Sequence, residues 1–256
     1  MIFYIGLLKI YIRKICMFEE RTYRGKVRAG DLTPFAVVVK ETDLFILADR
    51  DLSALVREVV IAHRYQLEGY ISRYPIFLTS LVPVGIVPGA PETVTRMAAA
   101  ADAAGVGPMA AVAGTFSELV GEALLKESSQ AIVENGGDIF IKSDVERTVA
   151  LYAGSSPLSG KVGIRLMPED TPVGVCTSSG RVGPSLSLGR AHAACIIAKS
   201  AALADAAATA VGNAVKRPDD IEAGLAVAQG IKGVLGAVVI MEDRLGAWGK
   251  VELVKL

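Results

Sequence analysis

Along this chain the apolar positions repeat with two different periods, and the switches between them mark the elements. Residues 35–40 and 44–48 are rich in Val, Ile and Phe, and Glu41-Thr-Asp43 between them is a turn sequence. Residues 23–27 have the same character, so the three segments predict a meander of short strands. From Asp51 the spacing changes to threes and fours: Leu52, Leu55, Val56, Val59, Val60 and Leu67 share one helical stripe. This predicts a helix capped by Asp51 or Ser53 and running to about Gly69. His63 lies on it with no Cys, Asp or second His at ligand spacing, which fits a partly exposed helix histidine.

Prolines then divide the pattern. Pro75, Pro83, Pro88 and Pro91 separate short apolar pieces at 76–78 and 84–87, expected as extended segments crossing a core. Pro91 and Glu92 open a helix through Ala104 that Gly105 is placed to end. Pro108 opens another over 109–126, with a face of small residues (Ala110, Ala113, Gly114, Ser117, Gly121). Such a face serves tight helix packing and equally admits another backbone or a ligand. Residues 131–133 and 139–141 are short strands around Glu134-Asn135-Gly136-Gly137-Asp138, a hairpin sequence in which Asn and Gly tolerate positive φ. Further strands are expected at 148–152, 162–166 and 173–176. A loop over 177–190 follows, and then a long Ala-rich helix from about Ala191 to Asn213.

Composition narrows the class. A chain of 256 residues that is 52% hydrophobic can bury a full core as one domain of two packed lobes, expected over 17–256. Lys+Arg 27 against Asp+Glu 27 leaves no basic surplus to neutralise a phosphate backbone, so nucleic acid is not an expected partner. The three cysteines, Cys16, Cys176 and Cys195, are odd in number and lack ligand spacing, which suits free thiols in a reducing cytoplasm. Residues 1–12 are apolar but short, contain Lys9, precede Arg13 and Lys14, and lack a small-residue cleavage site. Residues 1–16 therefore read as a start-site extension or loosely attached terminus rather than a membrane anchor. The small-residue faces and the apolar edge strand at 249–256 fit a homo-oligomer.

Candidate chemistry gathers around 171–213. Asp205 stands among Leu203, Ala204, Ala206, Ala207 and Ala208, and a carboxylate buried there without a partner would cost several kcal/mol. On the expected helix Ala198, Ala202, Asp205, Thr209 and Gly212 stack on one face. A carboxylate and a hydroxyl side by side, completed by waters and ligand phosphates, suit Mg²⁺; alternatively, Asp205 hydrogen-bonds a neighbouring strand or faces water. The loop carries Thr177, Ser178, Ser179, Gly180, Arg181 and Arg190, a set able to cradle phosphate through backbone N–H groups and guanidinium forks, or to form an ordinary flexible surface loop. Walker-type and GxGxxG fingerprints are absent. Asn135, Gly136, Gly137 and Asp138 form either a plain hairpin or a turn that offers bare backbone N–H groups and a carboxylate to a ligand. Cys176, where a strand meets the hydroxyl-rich loop, is either an inert core thiol or the reactive group of a sulfur carrier handling a persulfide.

Taken together, Glu134-Asn-Gly-Gly-Asp138, Thr177-Ser-Ser-Gly180 and Ala204-Asp205-Ala-Ala-Ala-Thr209-Ala210 resemble, in order and spacing, the ApbE-like superfamily, best known for FAD:protein FMN transferases. Ser72-Arg-Tyr-Pro75, Gly107-Pro-Met-Ala-Ala-Val-Ala-Gly114 and Gly174-Val-Cys-Thr-Ser-Ser-Gly180 look more specifically like a cytosolic branch of bacterial and archaeal proteins attached to it. The resemblance covers 17–256. It implies an α+β, T-fold-like architecture with antiparallel or mixed sheets and packed Ala-rich helices, and a site for FAD or another flavin nucleotide with Mg²⁺. In that frame Asp205 and Thr209 match the metal ligands, Gly136 to Asp138 the glycine turn at the flavin pocket, and Thr177 to Gly180 the threonine-serine-glycine loop. Asp205 and Cys176 are the candidate catalytic residues, and the expected partner is a small nucleotide or a sulfur-containing ligand. One departure stands out: the interval before the metal helix holds Gly189-Arg-Ala-His192, where the enzymes normally carry a His-Ile-Ile-Asp-Pro type segment.

Overall fold

The computed structural model describes residues 24, 25, 27, 29–180 and 188–256. The extension over 1–16, Cys16 and Arg181 lie outside the described residues. Of the strand expected over 23–27, Arg24 and Gly25 belong to a 3-10 turn closed by a Val27 N–H to Arg24 C=O hydrogen bond of 3.2 Å.

Strands β1 (Thr33–Val39) and β2 (Thr42–Ala48) form the expected hairpin. Helix α1 (Ser53–Arg73) follows, its start held by the Asp51 carboxylate accepting the Ser53 N–H at 2.8 Å. The proline-rich passage contains the short helix α2 (Ile76–Thr79), not an extended piece, and 84–87 has no regular structure. Helix α3 (Glu92–Ala104) ends on Gly105 in the left-handed region, as its sequence requires. The next helix is split: Pro108–Ala111 is a 3-10 turn and α4 runs over Val112–Leu124. Strands β3 (Ala131–Asn135), β4 (Asp138–Lys142), β5 (Arg147–Ala150), β6 (Val162–Leu166) and β7 (Val173–Ser178) follow. The C-terminal part holds β8 (Ala193–Ala198), α5 (Ala201–Ala214), α6 (Ile221–Gly230), β9 (Val234–Met241), β10 (Arg244–Gly249) and β11 (Glu252–Lys255).

These elements make three layers. An eight-stranded sheet in the order β1-β2-β3-β4-β7-β8-β9-β10 carries the helices on one face and a three-stranded sheet, β11-β6-β5, on the other. Every described strand pairing is antiparallel. Because side chains alternate along a strand, Cys176, Ala194, Ile196, Ala237 and Val239 point to the helices, whereas Val175, Cys195, Ile197, Val238 and Ile240 point to the small sheet. The architecture is α+β with antiparallel sheets, as expected.

The long helix from Ala191 is the main correction. All six residues of Ala193–Ala198 are buried in a strand between β7 and β9. A strand covered on both faces needs no polar side, so its sequence is continuously apolar and has no period to distinguish it from a buried helix. The helix begins only after Ser200, whose Oγ accepts the Leu203 N–H at 3.3 Å. Ala198 therefore does not share a helical face with Asp205. Among the described residues no single helix is long and apolar enough to cross a membrane.

Candidate functional site

The glycine turn is built by sequence and held by helix α4. Gly136 and Gly137 have φ of 70° and 103°, the left-handed conformations that a two-residue hairpin connection needs and that glycine adopts without strain. Asn135 Nδ2 donates to the Ala113 carbonyl at 3.2 Å, and Ser117 Oγ donates to the Asp138 carbonyl at 2.8 Å. Two side-chain bonds thus fix the turn against the start of α4. On the other side, Asp138 is paired in register with Cys176, and the Thr177 N–H donates to the Gly137 carbonyl at 3.2 Å. The turn and the end of β7 are therefore one unit.

Asp205 completes the group from α5. Helix α4 starts at Ala111 with no side-chain cap, and Asp205 Oδ2 accepts the Gly114 N–H at 2.8 Å instead. The reverse contact also exists. Glu118 Oε2 accepts Ser200 Oγ at 2.7 Å and the Ala202 N–H at 3.1 Å, while its Oε1 takes Arg96 at 3.1 Å. Each helix lends a carboxylate to the other's first turn, where unsatisfied N–H groups and the positive end of the dipole favour negative charge.

Glycine makes this approach possible. A Cβ on Gly114 would lie 2.2 Å from the Ala201 carbonyl oxygen, and one on Gly174 would lie 2.3 Å from Ala201 Cα. On Gly121 it would sit 2.1 Å from the Phe140 ring. At Gly114 and Gly121 the small face of α4 thus receives backbone and a ring, in keeping with tight packing.

The electrostatics are unusual for two carboxylates. Burial pushes the Asp205 carboxyl up to about 7, against the hydrogen bonds from Gly114 and Ala113. Asp138 is also held well above the usual carboxylate range, first by burial and then by the Asp205 charge, with the Glu134 charge adding; the nearby Cys176 thiol and Thr177 N–H oppose the shift. Among the described residues no Lys or Arg is a cause of either shift. Among the described residues no cluster of three or more His, Cys, Asp or Glu could hold a metal ion. A hard cation at this place would rest on one or two carboxylates, a hydroxyl, and oxygens from water or phosphate, a set that Mg²⁺ accepts.

Thr209 stands one turn beyond Asp205, and both are partly exposed while Ala206, Ala207 and Ala208 between them are buried. Ser178 faces the same helix: a Cβ on Gly212 would be 3.6 Å from its Oγ. The Gly180 N–H donates to Ala191 C=O at 3.0 Å, and the Arg190 N–H donates to Val215 C=O at 2.8 Å, so the ends of the 177–190 loop are tied down beside α5. Arg190 is exposed at the opposite end of α5 from Asp205.

Both described cysteines are buried and unpaired. Burial, then Asp138 and Asp205, push the Cys176 thiol well above its ordinary value, and it donates to the Ala201 carbonyl at 3.3 Å. Burial likewise pushes Cys195 up to about 12. A thiolate nucleophile is the opposite of what this setting favours.

Sequence reasoning missed Ser200, Glu118 and Glu134. Ser200 had a signal, since a serine directly before an apolar helical run is a cap. For Glu118 and Glu134 the decisive partners, Ser200 and Arg24, lie 82 and 110 residues away in sequence, out of reach of any local pattern.

The fold is similar to that of solved structures of ApbE flavin transferases. The chain superposes on Flavin Transferase ApbE from Vibrio cholerae with a TM-score of 0.56 at 13% identity, covering 85% of this chain and 96% of that one. For the apo flavinyl transferase ApbE of Pseudomonas stutzeri the score is 0.55 at 16% identity, covering 85% and 94%. A family model described as AbpE bacteria matches residues 24–243, and the chain belongs to that family. Its relatives include a UPF0280 protein of Methanococcus vannielii, 47% identical over 221 residues, 84% of this chain and 90% of that protein. A UPF0280 protein of Methanosarcina acetivorans is 44% identical over 216 residues, 83% and 85% of the two chains.

Proposed function

We propose that this protein binds a flavin nucleotide, FAD in the first instance, together with Mg²⁺, and acts as a transferase of the FAD:protein FMN type. The observation that carries the reading is the convergence of the Gly136-Gly137-Asp138 turn, the Cys176-Thr177 end of β7 and Asp205, which brings together two carboxyls, Asp138 buried and Asp205 partly exposed, whose pKa values burial raises and which no Lys or Arg among the described residues offsets. A divalent cation beside them would favour the charged forms and so offset the burial that lifts both pKa values. The fold shared with flavin transferases supports the same class.

In this proposal Asp205 and Thr209 hold the metal, and Asn135 to Asp138 line the flavin. Thr177, Ser178, Ser179 and Gly180 offer hydroxyl and backbone donors to the pyrophosphate, with Arg190 and Arg181 as the cations nearest the loop in sequence. Mg²⁺ would supply charge neutralisation at the phosphates as an acceptor displaces AMP. The residues of this chain orient the nucleotide and keep one face of the phosphorus open. The sulfur-carrier reading of Cys176 gains nothing from a buried, protonated thiol.

The test is thermal melting of the purified chain with Mg²⁺, with FAD, and with both, for the natural sequence and for Asp205→Asn. Both ligands together should raise Tm and the substitution should abolish the rise. An unchanged melt at saturating ligand overturns the proposal. A rise with no AMP released from FAD in the presence of protein acceptors would keep binding and remove the transfer.

A further inference from the structure

The turn that faces the candidate ligand is tied to the beginning of the described chain. Glu134 closes the turn from within, since its Oε1 accepts the Gly137 N–H at 2.9 Å. Its other oxygen, Oε2, accepts Arg24 Nε at 2.7 Å. The same guanidinium donates from Nη1 to Asp43 Oδ1 at 2.8 Å and from Nη2 to the Asp43 carbonyl at 2.9 Å, and it lies 5.8 Å from the centre of the Phe45 ring. All three charged side chains are largely buried, at 15%, 11% and 9% exposure for Arg24, Asp43 and Glu134. One planar fork therefore joins β2 to the end of β3.

We infer that Arg24 is a positioning residue for the flavin site, acting through Glu134 on the Gly137 N–H and, through the Gly137 carbonyl, on Thr177. The inference rests on the flavin reading above for the identity of the ligand. The line of contacts is continuous: Arg24 to Glu134, Glu134 to Gly137, Gly137 to Thr177. It bears on the least self-sufficient part of the site. The Asn135 and Ser117 bonds anchor the residues that flank the turn, while Gly136 and Gly137 have no side chains of their own, and the Glu134 carboxylate holds the Gly137 N–H between them. Without the guanidinium, the Glu134 carboxylate loses the donor at Oε2 that orients its other oxygen toward the Gly137 N–H. Lys in place of Arg24 would supply the charge but not three donors in one plane.

The experiment combines amide hydrogen exchange with nucleotide binding, for Arg24→Gln, Glu134→Gln, the double variant and Arg24→Lys. Arg24→Lys keeps the charge and guards against a folding failure of the neutral variant. In the free protein Arg24→Gln should speed exchange at Gly137 and Thr177 while Ala237 and Ile240 in the central strand stay protected. Binding of FAD with Mg²⁺ should weaken by about tenfold, the two single substitutions should be markedly non-additive, and Lys should restore only part of the affinity. Exchange that is unchanged at Gly137, or faster everywhere alike, overturns the inference, as do additive effects on affinity. If the natural protein binds no FAD, the flavin reading falls by itself, and the exchange pattern still decides whether Arg24 holds the turn.

Discussion

Asp205 caps a helix to which it does not belong: its Oδ2 accepts the Gly114 N–H, 91 positions earlier in the chain, at 2.8 Å. Glu118 returns the favour by accepting the Ala202 N–H at 3.1 Å. Helices α4 and α5 therefore meet by their first turns, where two positive dipole ends would repel if no negative charge lay between them. The arrangement explains how an acidic residue survives in an alanine-rich helix. It also concentrates, at one spot, donors and carboxylates whose balance a proton or a cation can tip.

The first prediction concerns that balance. A carboxyl whose pKa rises from 3.8 unfolded to about 7 folded gives the native state the extra proton between those values. The unfolded state then binds fewer protons, so stability falls as pH rises through that window, and the loss is complete above about 7. From pH 5 to pH 8 the decrease should be on the order of 2 kcal/mol. In Asp205→Asn, which keeps an amide oxygen for Gly114 but cannot ionise, this component should vanish. Urea denaturation of both proteins at the two pH values measures it; a parallel pH dependence would show that Asp205 does not titrate there.

The second prediction is steric. Gly114→Ala places a methyl 2.2 Å from the Ala201 carbonyl oxygen and 2.7 Å from Asp205 Cβ, positions that only a backbone shift can relieve. Overpacking of this kind costs about 1–3 kcal/mol, and the shift would also lengthen the Asp205 bond. Gly114→Ala should lower Tm and, in the same protein, reduce any Tm rise given by FAD with Mg²⁺. Gly69→Ala is the control, because nothing lies within 4 Å of a Cβ there. Equal Tm values for the two variants would show that α4 and α5 have room to separate.

What the sequence made legible follows from the range of the interactions. The β3–β4 hairpin, the stop of α3 at Gly105 and the one-turn spacing of Asp205 and Thr209 on one helix are local, written in residues a few positions apart. The strand Ala193–Ala198 was illegible because its identity depends on the sheet and helices that cover it. The capping role of Asp205 was half legible: a lone acid among alanines announced a partner, and only the fold could say that the partner is the backbone of Gly114. Arg24 falls within the strand expected over 23–27 and Glu134 within the glycine-turn motif, and only the fold brings the two side chains together.

The last prediction separates a buried thiol from a reactive one. Cys176 and Cys195 are fully buried, and burial raises both thiols, the latter to about 12. Alkylation needs the thiolate, whose fraction falls about tenfold for each unit by which the pKa exceeds the ambient pH. Access requires β7 or β8 to leave the centre of the sheet, an opening that approaches global unfolding. At pH 8 iodoacetamide should therefore modify neither residue in the native protein and both in denaturant, as followed by intact mass and peptide mapping. Asp138→Asn helps to divide the causes. Removing the Asp138 charge should lower the Cys176 pKa without exposing it, so native alkylation should remain slow. Fast native modification of Cys176 at a rate near that of the unfolded chain would mean that β7 opens readily, and would return the thiol to consideration as a working group.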